Sequence, residues 1–374
     1  MKLTNAHVFD PLKGFITRDL SIGGELIAAD SCGPTVDLSD CWLVPGLTDV
    51  HFHGCKGADF SDGDPEGLRT IADYQLSRGV TQICPAGMTL DVPQLETICR
   101  MAAAHNASNP TGAELAGIHL EGPFLSAPKK GAQNGAWLRD PDSDLLHHLQ
   151  QESGGLVKLV SVAPELPGAL DFIRRAGEEG VRVSLAHTTA NYDQALAAFD
   201  AGAKQVTHLF NAMNPFAHRD PGPVGAAVDS DCMVELISDG IHIHPAVVRS
   251  VFKLFGAHRV ILVSDTMRAA GMADGQYTLG GQDVIVKGKL ATLTDGVIAG
   301  SVTDLMACMT TAVSFGIPLA DAVTAAAVNP AKAIGIYDRV GDFKVGKLAN
   351  IAILSPDLSL KAVIFRGQLV SGEL

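Results

Sequence analysis

The sequence is poor in basic residues and shows no cluster of them. Lys and Arg together number 28 against 41 Asp and Glu, so the net charge is −13 over 374 residues. A surface that binds nucleic acid needs concentrated positive charge, and we therefore expect no nucleic-acid partner. Charged residues make up 18% and hydrophobic residues 47% of the chain, which is typical of a compact soluble protein.

Paired cysteines and long apolar runs are also lacking. The seven cysteines are an odd number and include no CxxC pair, which indicates reduced thiols. No apolar run reaches the length of a membrane span, and the first residues have no apolar stretch long enough for a signal peptide. We expect a cytoplasmic protein that has no membrane partner.

The middle of the chain alternates between apolar strand patterns and helical patterns. Eight segments read as buried strands: Gly46–Val50, Val80–Pro85, Leu115–Leu120, Val157–Val162, Val181–Ala186, Gln205–Thr207, Met233–Ile237 and Val260–Val263. Helical patterns lie between most of them, and two more follow the eighth. Eight such units over roughly 250–300 residues predict an α/β fold, a (β/α)8 TIM barrel. A doubly wound open sheet is the structural alternative, but it rarely needs eight parallel strands, and no GxGxxG motif opens a helix.

The two ends of the chain share a different pattern. Short β-like segments separated by turn residues cover the first 45 residues, and similar segments recur at Ala349–Leu354 and Leu360–Arg366. We predict that residues 1–45 and 337–374 form one small β-sandwich domain. The barrel, residues 46–336, would be the catalytic domain inserted between them.

Imidazoles and carboxylates stand where the predicted strands end. They are His51 and His53 after strand 1, Glu121 after strand 3, His187 after strand 5, His208 after strand 6 and Asp265 after strand 8. In a (β/α)8 barrel these ends meet at one rim, where the chemistry is located. One histidine at a strand end is more often structural, but six such groups at matching ends are hard to explain as packing. Together they form the ligand set that Zn²⁺ or Fe²⁺ prefers.

The spacing of the first pair supports this hypothesis. In His51-x-His53 both side chains lie on one face of an extended strand, so both can bind one ion. A divalent cation would also neutralise Glu121, an acid at the end of a buried strand that carries no Lys or Arg.

These residues resemble the amidohydrolase superfamily and, within it, the family of N-acetylglucosamine-6-phosphate deacetylases. The resemblance covers nearly the whole chain. Its motifs are Pro45–His53, Ile118–Phe124, Lys130-Gly131, Thr207–Met213, Asp239–His242, Val263–Asp265 and Ala299–Ser301. It implies removal of the acetyl group from N-acetyl-D-glucosamine 6-phosphate, a small-molecule amino sugar phosphate, and a homodimer.

The resemblance also implies a role for each matching residue. Glu121, His187 and His208 would hold the main divalent metal, Zn²⁺ or Fe²⁺, while His51 and His53 would allow a second, giving one or two per subunit. Asp265 would be the catalytic acid and base. The sugar and its 6-phosphate would be bound by Ala132, Gln133, Asn211, Ala212, Arg219, His242, Ile298, Ala299 and Gly300. Many family members have His where this chain has Gln133, which can donate a hydrogen bond but carries no charge.

Three alternatives stay open at this point. A cyclic-amide hydrolase would usually carry a bridging Lys on strand 4, yet Lys158 lies near that strand's beginning, at the wrong end for a ligand. A deacetylase of N-acetylgalactosamine 6-phosphate is the second alternative. Its substrate differs from N-acetylglucosamine 6-phosphate only in the configuration of one hydroxyl group. A metal-free scaffold protein is the third alternative, and such proteins lose the ligands that this chain keeps.

Overall fold

The computed structural model describes residues 1–108 and 110–374. Its eight barrel strands agree with the eight predicted segments to within a few residues. They are Leu47–Asp49, Val80–Ile83, a third in two pieces (Glu114–Leu115 and Ile118–Leu120), Val157–Val162, Arg182–Leu185, Gln205–Val206, Met233–Ile237 and Val260–Val263. Each strand pairs in parallel with the next, and the second strand reaches the later piece of the third through Ala86–Gly87.

The barrel closes between its eighth and first strands. The Asp265 N–H donates to the His51 carbonyl over 2.9 Å, and the His53 N–H donates to the Thr266 carbonyl over 2.7 Å. These bonds hold the two strand ends side by side, so the residues that follow them share one rim.

Helices surround the barrel as the periodicity predicts. They are Pro65–Ser77, Val92–Ala107, Ser143–Glu152, Ala169–Glu178, Tyr192–Ala201, Gly222–Val228, Pro245–Phe255 and Leu305–Ser314. Most begin at an Asp or Asn whose side chain accepts from the first turn, for example Asp91 and Asn191, each in a capping box. Among the described residues, none of the helices combines the length and the apolar character that crossing a membrane requires.

The structure differs from the prediction in four places. The third strand is interrupted at Gly117, where a Cβ would lie 2.4 Å from Lys158 Cγ. Helix Gly222–Val228 was not predicted, because its sequence is rich in glycine and alanine and has no clear periodicity. Its residues from Gly222 to Ala227 are buried, so it has no exposed polar face to produce such a pattern. A three-stranded antiparallel sheet, formed by Gly275–Leu279, Gln282–Lys287 and Leu290–Leu293, follows the eighth strand. The second helical pattern after the eighth predicted strand covers residues 319–334. The structure divides it into a helix at Leu319–Val323, a π-helical turn at Thr324–Val328 and a helix at Asn329–Ala333.

One eight-stranded sheet contains strands from both ends of the chain. From the amino-terminal part come Lys2–Asp10, Gly14–Gly23, Leu26–Ala28, Thr35–Asp37 and Trp42–Pro45, and from the carboxyl-terminal part Ile351–Leu354, Leu360–Phe365 and Gln368–Gly372. The sheet is mixed, because Lys2–Asp10 pairs in parallel with two of its neighbours. The division into two domains at residues 45 and 337 stays a prediction.

Candidate active site

Three side chains from three strands meet at the centre of the rim. Glu121 Oε1 lies 3.1 Å from His187 Nε2 and 2.9 Å from His208 Nε2, and the two Nε2 atoms are 3.2 Å apart. All three residues are at most 5% exposed. The structure therefore brings together Glu121, His187 and His208, the three residues expected to hold the main metal.

The pair that follows the first strand also lies close to this carboxylate. His51 Nε2 lies 3.4 Å from Glu121 Oε1, and His53 Nε2 lies 3.4 Å from Glu121 Oε2. Asp265 completes the ring, with Oδ1 3.3 Å from His53 Nε2 and 3.8 Å from His51 Nε2. Glu121 Oε1 therefore lies close to the Nε2 atoms of His51, His187 and His208, while Oε2 lies close to that of His53.

Three of these residues have unusual backbone conformations. His187, His208 and Asp265 have φ of 42°, 29° and 49°, in the left-handed region that side chains other than glycine rarely adopt. Each is the second residue after the end of its strand and turns inward there. Strained backbone of this kind clusters at functional sites, where the surrounding structure compensates for its cost.

Hydrogen bonds to the Nδ1 atoms orient three of the four imidazoles. His51 Nδ1 lies 2.8 Å from Glu235 Oε2, His53 Nδ1 lies 3.2 Å from the Ala86 carbonyl, and His187 Nδ1 lies 2.8 Å from the Lys129 carbonyl. An acceptor at Nδ1 places the proton there and leaves Nε2 free to coordinate, as is usual for histidines that bind metals.

The donor set fits a divalent cation. His51 Nε2 is buried and forms no hydrogen bond among the described residues. No described Lys or Arg pairs with Glu121 or Asp265. Burial alone would raise the pKa of Glu121, but the charge of His51 and the close imidazoles of His187 and His208 bring that pKa well below its ordinary range. The acid is therefore held ionised among imidazoles, as in a carboxylate and histidine metal centre.

His119 and Gln133 support this centre. His119 is buried beside His51, with its Nε2 2.9 Å from Ser161 Oγ, and burial lowers the pKa of its imidazole to about 4. Gln133 Nε2 donates to Glu121 Oε2 over 2.8 Å, and its Oε1 accepts from the Thr89 N–H over 2.7 Å. Gln133 therefore fixes the position of Glu121 Oε2 in this structure.

A cavity of about 450 Å³ opens directly above the centre. It is lined by His53, Glu121, His187, His208 and Asp265, and by eight of the nine residues expected to bind substrate: Ala132, Gln133, Asn211, Ala212, His242, Ile298, Ala299 and Gly300. Gly300 has a φ of +66°, and a Cβ there would come within 3.1 Å of the Asp265 carbonyl oxygen. The ninth residue, Arg219, is exposed on the loop after the sixth strand and does not line the cavity of its own chain.

His242 also lines this cavity. Its Nδ1 lies 2.7 Å from Asp239 Oδ2, and Asp239 also accepts from the backbone N–H groups of Ile241 and His242. Burial alone would lower the pKa of His242, but the hydrogen bond and charge of Asp239 raise it above its ordinary value. The imidazole is thus stabilised as a cation with Nε2 available to donate.

Several residues at the site carry no assignment from the sequence. Lys129 lines the cavity as a second cation, and Glu235 holds His51. The sequence alone could have indicated Glu235, because it is the one acid within the apolar strand Met233–Ile237. Leu279 comes from the three-stranded sheet, which the sequence pattern did not predict, and Gln282 of that sheet donates to the Ala132 carbonyl over 2.6 Å.

The closed barrel and the ring of imidazoles around one carboxylate define a class: enzymes that perform hydrolysis with a divalent metal at the mouth of a (β/α)8 barrel. The model of the amidohydrolase family matches residues 42–370, and the chain belongs to this family.

Proteins of known activity resemble the chain over most of its length. It is 39% identical to N-acetylglucosamine-6-phosphate deacetylase of Bacillus subtilis (strain 168), over 88% of this chain and 85% of the relative. It is 35% identical to N-acetylgalactosamine-6-phosphate deacetylase of Escherichia coli O157:H7, over 88% of each. The structure superposes with a TM-score of 0.93 on a mutant N-acetyl-D-glucosamine-6-phosphate deacetylase of Mycobacterium smegmatis in complex with N-acetyl-D-glucosamine-6-phosphate. That match is 33% identical and covers 99% of both chains.

Proposed function

We propose that this protein hydrolyses the acetamido group of N-acetyl-D-glucosamine 6-phosphate to D-glucosamine 6-phosphate and acetate. The observation that carries the proposal is the convergence of Glu121, His187 and His208 beside Asp265, in a cavity whose lining also contains His242. The similarity to deacetylases over most of the chain supports this substrate.

Glu121, His187 and His208 would hold one Zn²⁺ or Fe²⁺, and His51, His53 and Glu121 a second. Imidazole and carboxylate ligands suit both metals. When bound, such a cation polarises the acetyl carbonyl and lowers the pKa of a water molecule.

Asp265 would move the proton. Its Oδ1 faces the nitrogens of the first-strand pair, and its carboxylate lines the cavity. Burial would raise its pKa, but His53 and His51 lower it below its ordinary value, so Asp265 is an ionised base in the resting site. It would accept a proton from the attacking water and donate it to the departing amine nitrogen, which completes the C–N cleavage.

The sugar phosphate would lie across the cavity, with Asn211, Ala212 and the segment 298–300 along its length. His242 would bind the 6-phosphate as an imidazolium, and Lys129 adds positive charge in the same cavity. Gln133 would contact the acetyl group once its hydrogen bond to Glu121 is released.

Arg219 would complete the phosphate site from a second copy of the chain. It is exposed and outside its own cavity, which agrees with a role across a homodimer. An apolar groove of about 790 Å³ lies next to the site, with Phe216, Val247 and Leu254 each at least 36% exposed along it. Exposed apolar surface of this kind marks interfaces. A cytoplasmic location stays a prediction.

A deacetylase of N-acetylgalactosamine 6-phosphate is the second candidate, because a relative of that activity matches 88% of the chain. The test compares acetate release from N-acetylglucosamine 6-phosphate, N-acetylgalactosamine 6-phosphate and unphosphorylated N-acetylglucosamine by the purified protein. We expect the highest kcat/KM on the first. Equal values on the first and third would remove the phosphate roles of His242 and Arg219, and a higher value on the second would reverse the assignment between epimers.

A further inference from the structure

Glu235 is a fully buried acid in the middle of the seventh barrel strand. The residues beside it on Met233–Ile237 are apolar, and Glu235 itself is 0% exposed. A carboxylate at such a position is costly unless donors or cations compensate for the loss of water. Its contacts therefore indicate what it is for.

Three donors converge on this carboxylate. Oε2 lies 2.8 Å from His51 Nδ1 and accepts the backbone N–H of His208 over 3.1 Å, while Oε1 accepts Gln205 Nε2 over 2.6 Å. No described Lys or Arg pairs with Glu235. One side chain thus contacts a candidate ligand on the first strand and the backbone of another on the sixth.

The contact with His51 determines where the other ring nitrogen points. With its proton on Nδ1 facing Glu235, His51 presents Nε2 to Glu121 Oε1 at 3.4 Å and to Asp265 Oδ1 at 3.8 Å. This Nε2 is buried and forms no hydrogen bond among the described residues. A buried nitrogen aimed at two carboxylate oxygens is a ligand position that a divalent cation would satisfy.

We propose that Glu235 is a positioning residue that builds the second metal position, formed by His51, His53 and Glu121, by orienting His51 and tying it to the backbone of His208. The proposal rests on the proposed function for the presence of a metal. It adds that occupation of this second position depends on Glu235, which acts through its contact with His51.

The charges agree with this role. Glu121, Asp265 and Glu235 are three acids within one network of imidazoles, and no described Lys or Arg pairs with any of them. A second divalent cation offsets more of this negative charge than one alone. Partners that hydrogen-bond to metal ligands typically change metal affinity by about 10–100-fold.

The experiment measures metal, not turnover. Wild-type protein and the variants Glu235→Gln, His51→Gln and the double variant are loaded with Zn²⁺ and desalted. Metal per chain is measured by mass spectrometry, and affinity is measured by competition with a chromophoric chelator. Glu235→Gln keeps the shape of the side chain and removes its charge. Glu114→Gln is the matched control, because Glu114 pairs with Arg339 and Arg366 at the beginning of the third strand. Circular dichroism verifies folding.

We expect two Zn²⁺ per wild-type chain and a loss of about 10–100-fold in affinity for one of them in Glu235→Gln. At the second metal position, the double variant should bind metal no more weakly than His51→Gln alone, because Glu235 supports that position through His51. The proposal is overturned by wild-type affinity in folded Glu235→Gln, by only one Zn²⁺ in the wild type, or by additive losses in the double variant. Two bound metals without acetate release would instead contradict the proposed function and leave this inference standing.

Discussion

His187 Nε2 and His208 Nε2 lie 3.2 Å apart. Two nitrogens that each lie about 2.0–2.1 Å from a tetrahedral Zn²⁺ would be separated by about 3.3 Å. The two rings come from the fifth and sixth strands, and each backbone turns through a left-handed residue to bring its nitrogen inward. The separation therefore matches two ligands of one ion, and the first predictions concern that ion.

Removal of the metal should abolish activity and lower the melting temperature. In the described part of the chain Glu121 and Asp265 pair only with histidines and with no Lys or Arg, so a bound cation would stabilise the folded chain. A ligand at about 1,000 times its Kd adds about 4 kcal/mol to the free energy of unfolding. Differential scanning calorimetry before and after dialysis against a chelator measures the shift. Readdition of Zn²⁺ or Fe²⁺ should restore activity and shows which metal the site accepts. An unchanged melting temperature in protein verified to be metal-free would contradict the prediction.

Asp265→Asn should lower kcat by about 10²–10⁴-fold and keep the metal content of the wild type. The amide preserves the size of the side chain but can neither accept nor return a proton, while Glu121, His187 and His208 remain in place. Steady-state acetate release and elemental analysis on the same preparation measure both quantities. Asp283→Asn, an exposed change on the three-stranded sheet, is the control. Loss of metal together with activity would assign Asp265 to ligation instead of proton transfer.

KM for the phosphorylated sugar should rise as pH increases through the raised pKa of His242, at constant metal content. Asp239 raises the pKa of His242 in the folded protein. The imidazole is therefore fully charged below about pH 6.5, and it loses its charge as pH rises through its pKa in the folded protein. The stability that the pairing with Asp239 adds is lost over the same range. A sugar phosphate becomes a dianion above about pH 6. The best binding should therefore lie between these two titrations.

The control for this pH dependence is Asp239→Asn, which removes the charge that raises the pKa of His242. The rise in KM should then begin at a lower pH. The unphosphorylated sugar should show neither effect. A KM that stays constant from about pH 6 to about pH 9 would mean that His242 does not bind the phosphate as a cation.

A charge in the groove beside the site should weaken a homodimer. Phe216 and Leu254 are 49% and 46% exposed there, so Phe216→Asp and Leu254→Asp would place carboxylates in an apolar interface. Sedimentation velocity should show a larger fraction of monomer. The Kd of the homodimer should rise by at least about tenfold. Leu12→Asp is the matched control, since Leu12 is 93% exposed on the turn before Gly14–Gly23. If all three variants sediment like the wild type, the interface lies elsewhere.

Residues at the strand ends could be predicted because a barrel converts order in the sequence into position at one rim. His51, His53, Glu121, His187, His208 and Asp265 could be predicted as a group for this reason, although their roles as ligands and catalyst await experiment. The apolar strands also stood out, because strands buried on both faces are nearly continuous hydrophobic runs.

Contacts between distant elements could not be predicted in the same way. Arg219 stands on the loop after the sixth strand, yet it is exposed and does not line the cavity of its own chain. Lys129 reaches the cavity from the short 3-10 turn Ala127–Lys129, and Leu279 reaches it from the buried end of the strand Gly275–Leu279. Loop geometry depends on packing against other parts of the chain, and no local pattern encodes it.

The sequence alone determined the barrel, the family resemblance and the ring of histidines and acids, because residue type and spacing at strand ends are local properties. Only the tertiary structure decided that Glu235 supports His51, that Gln133 holds Glu121 and that Arg219 lies outside its own site. The first two are contacts between residues separated by 184 and 12 positions, and the packing of distant segments around the closed barrel sets all three.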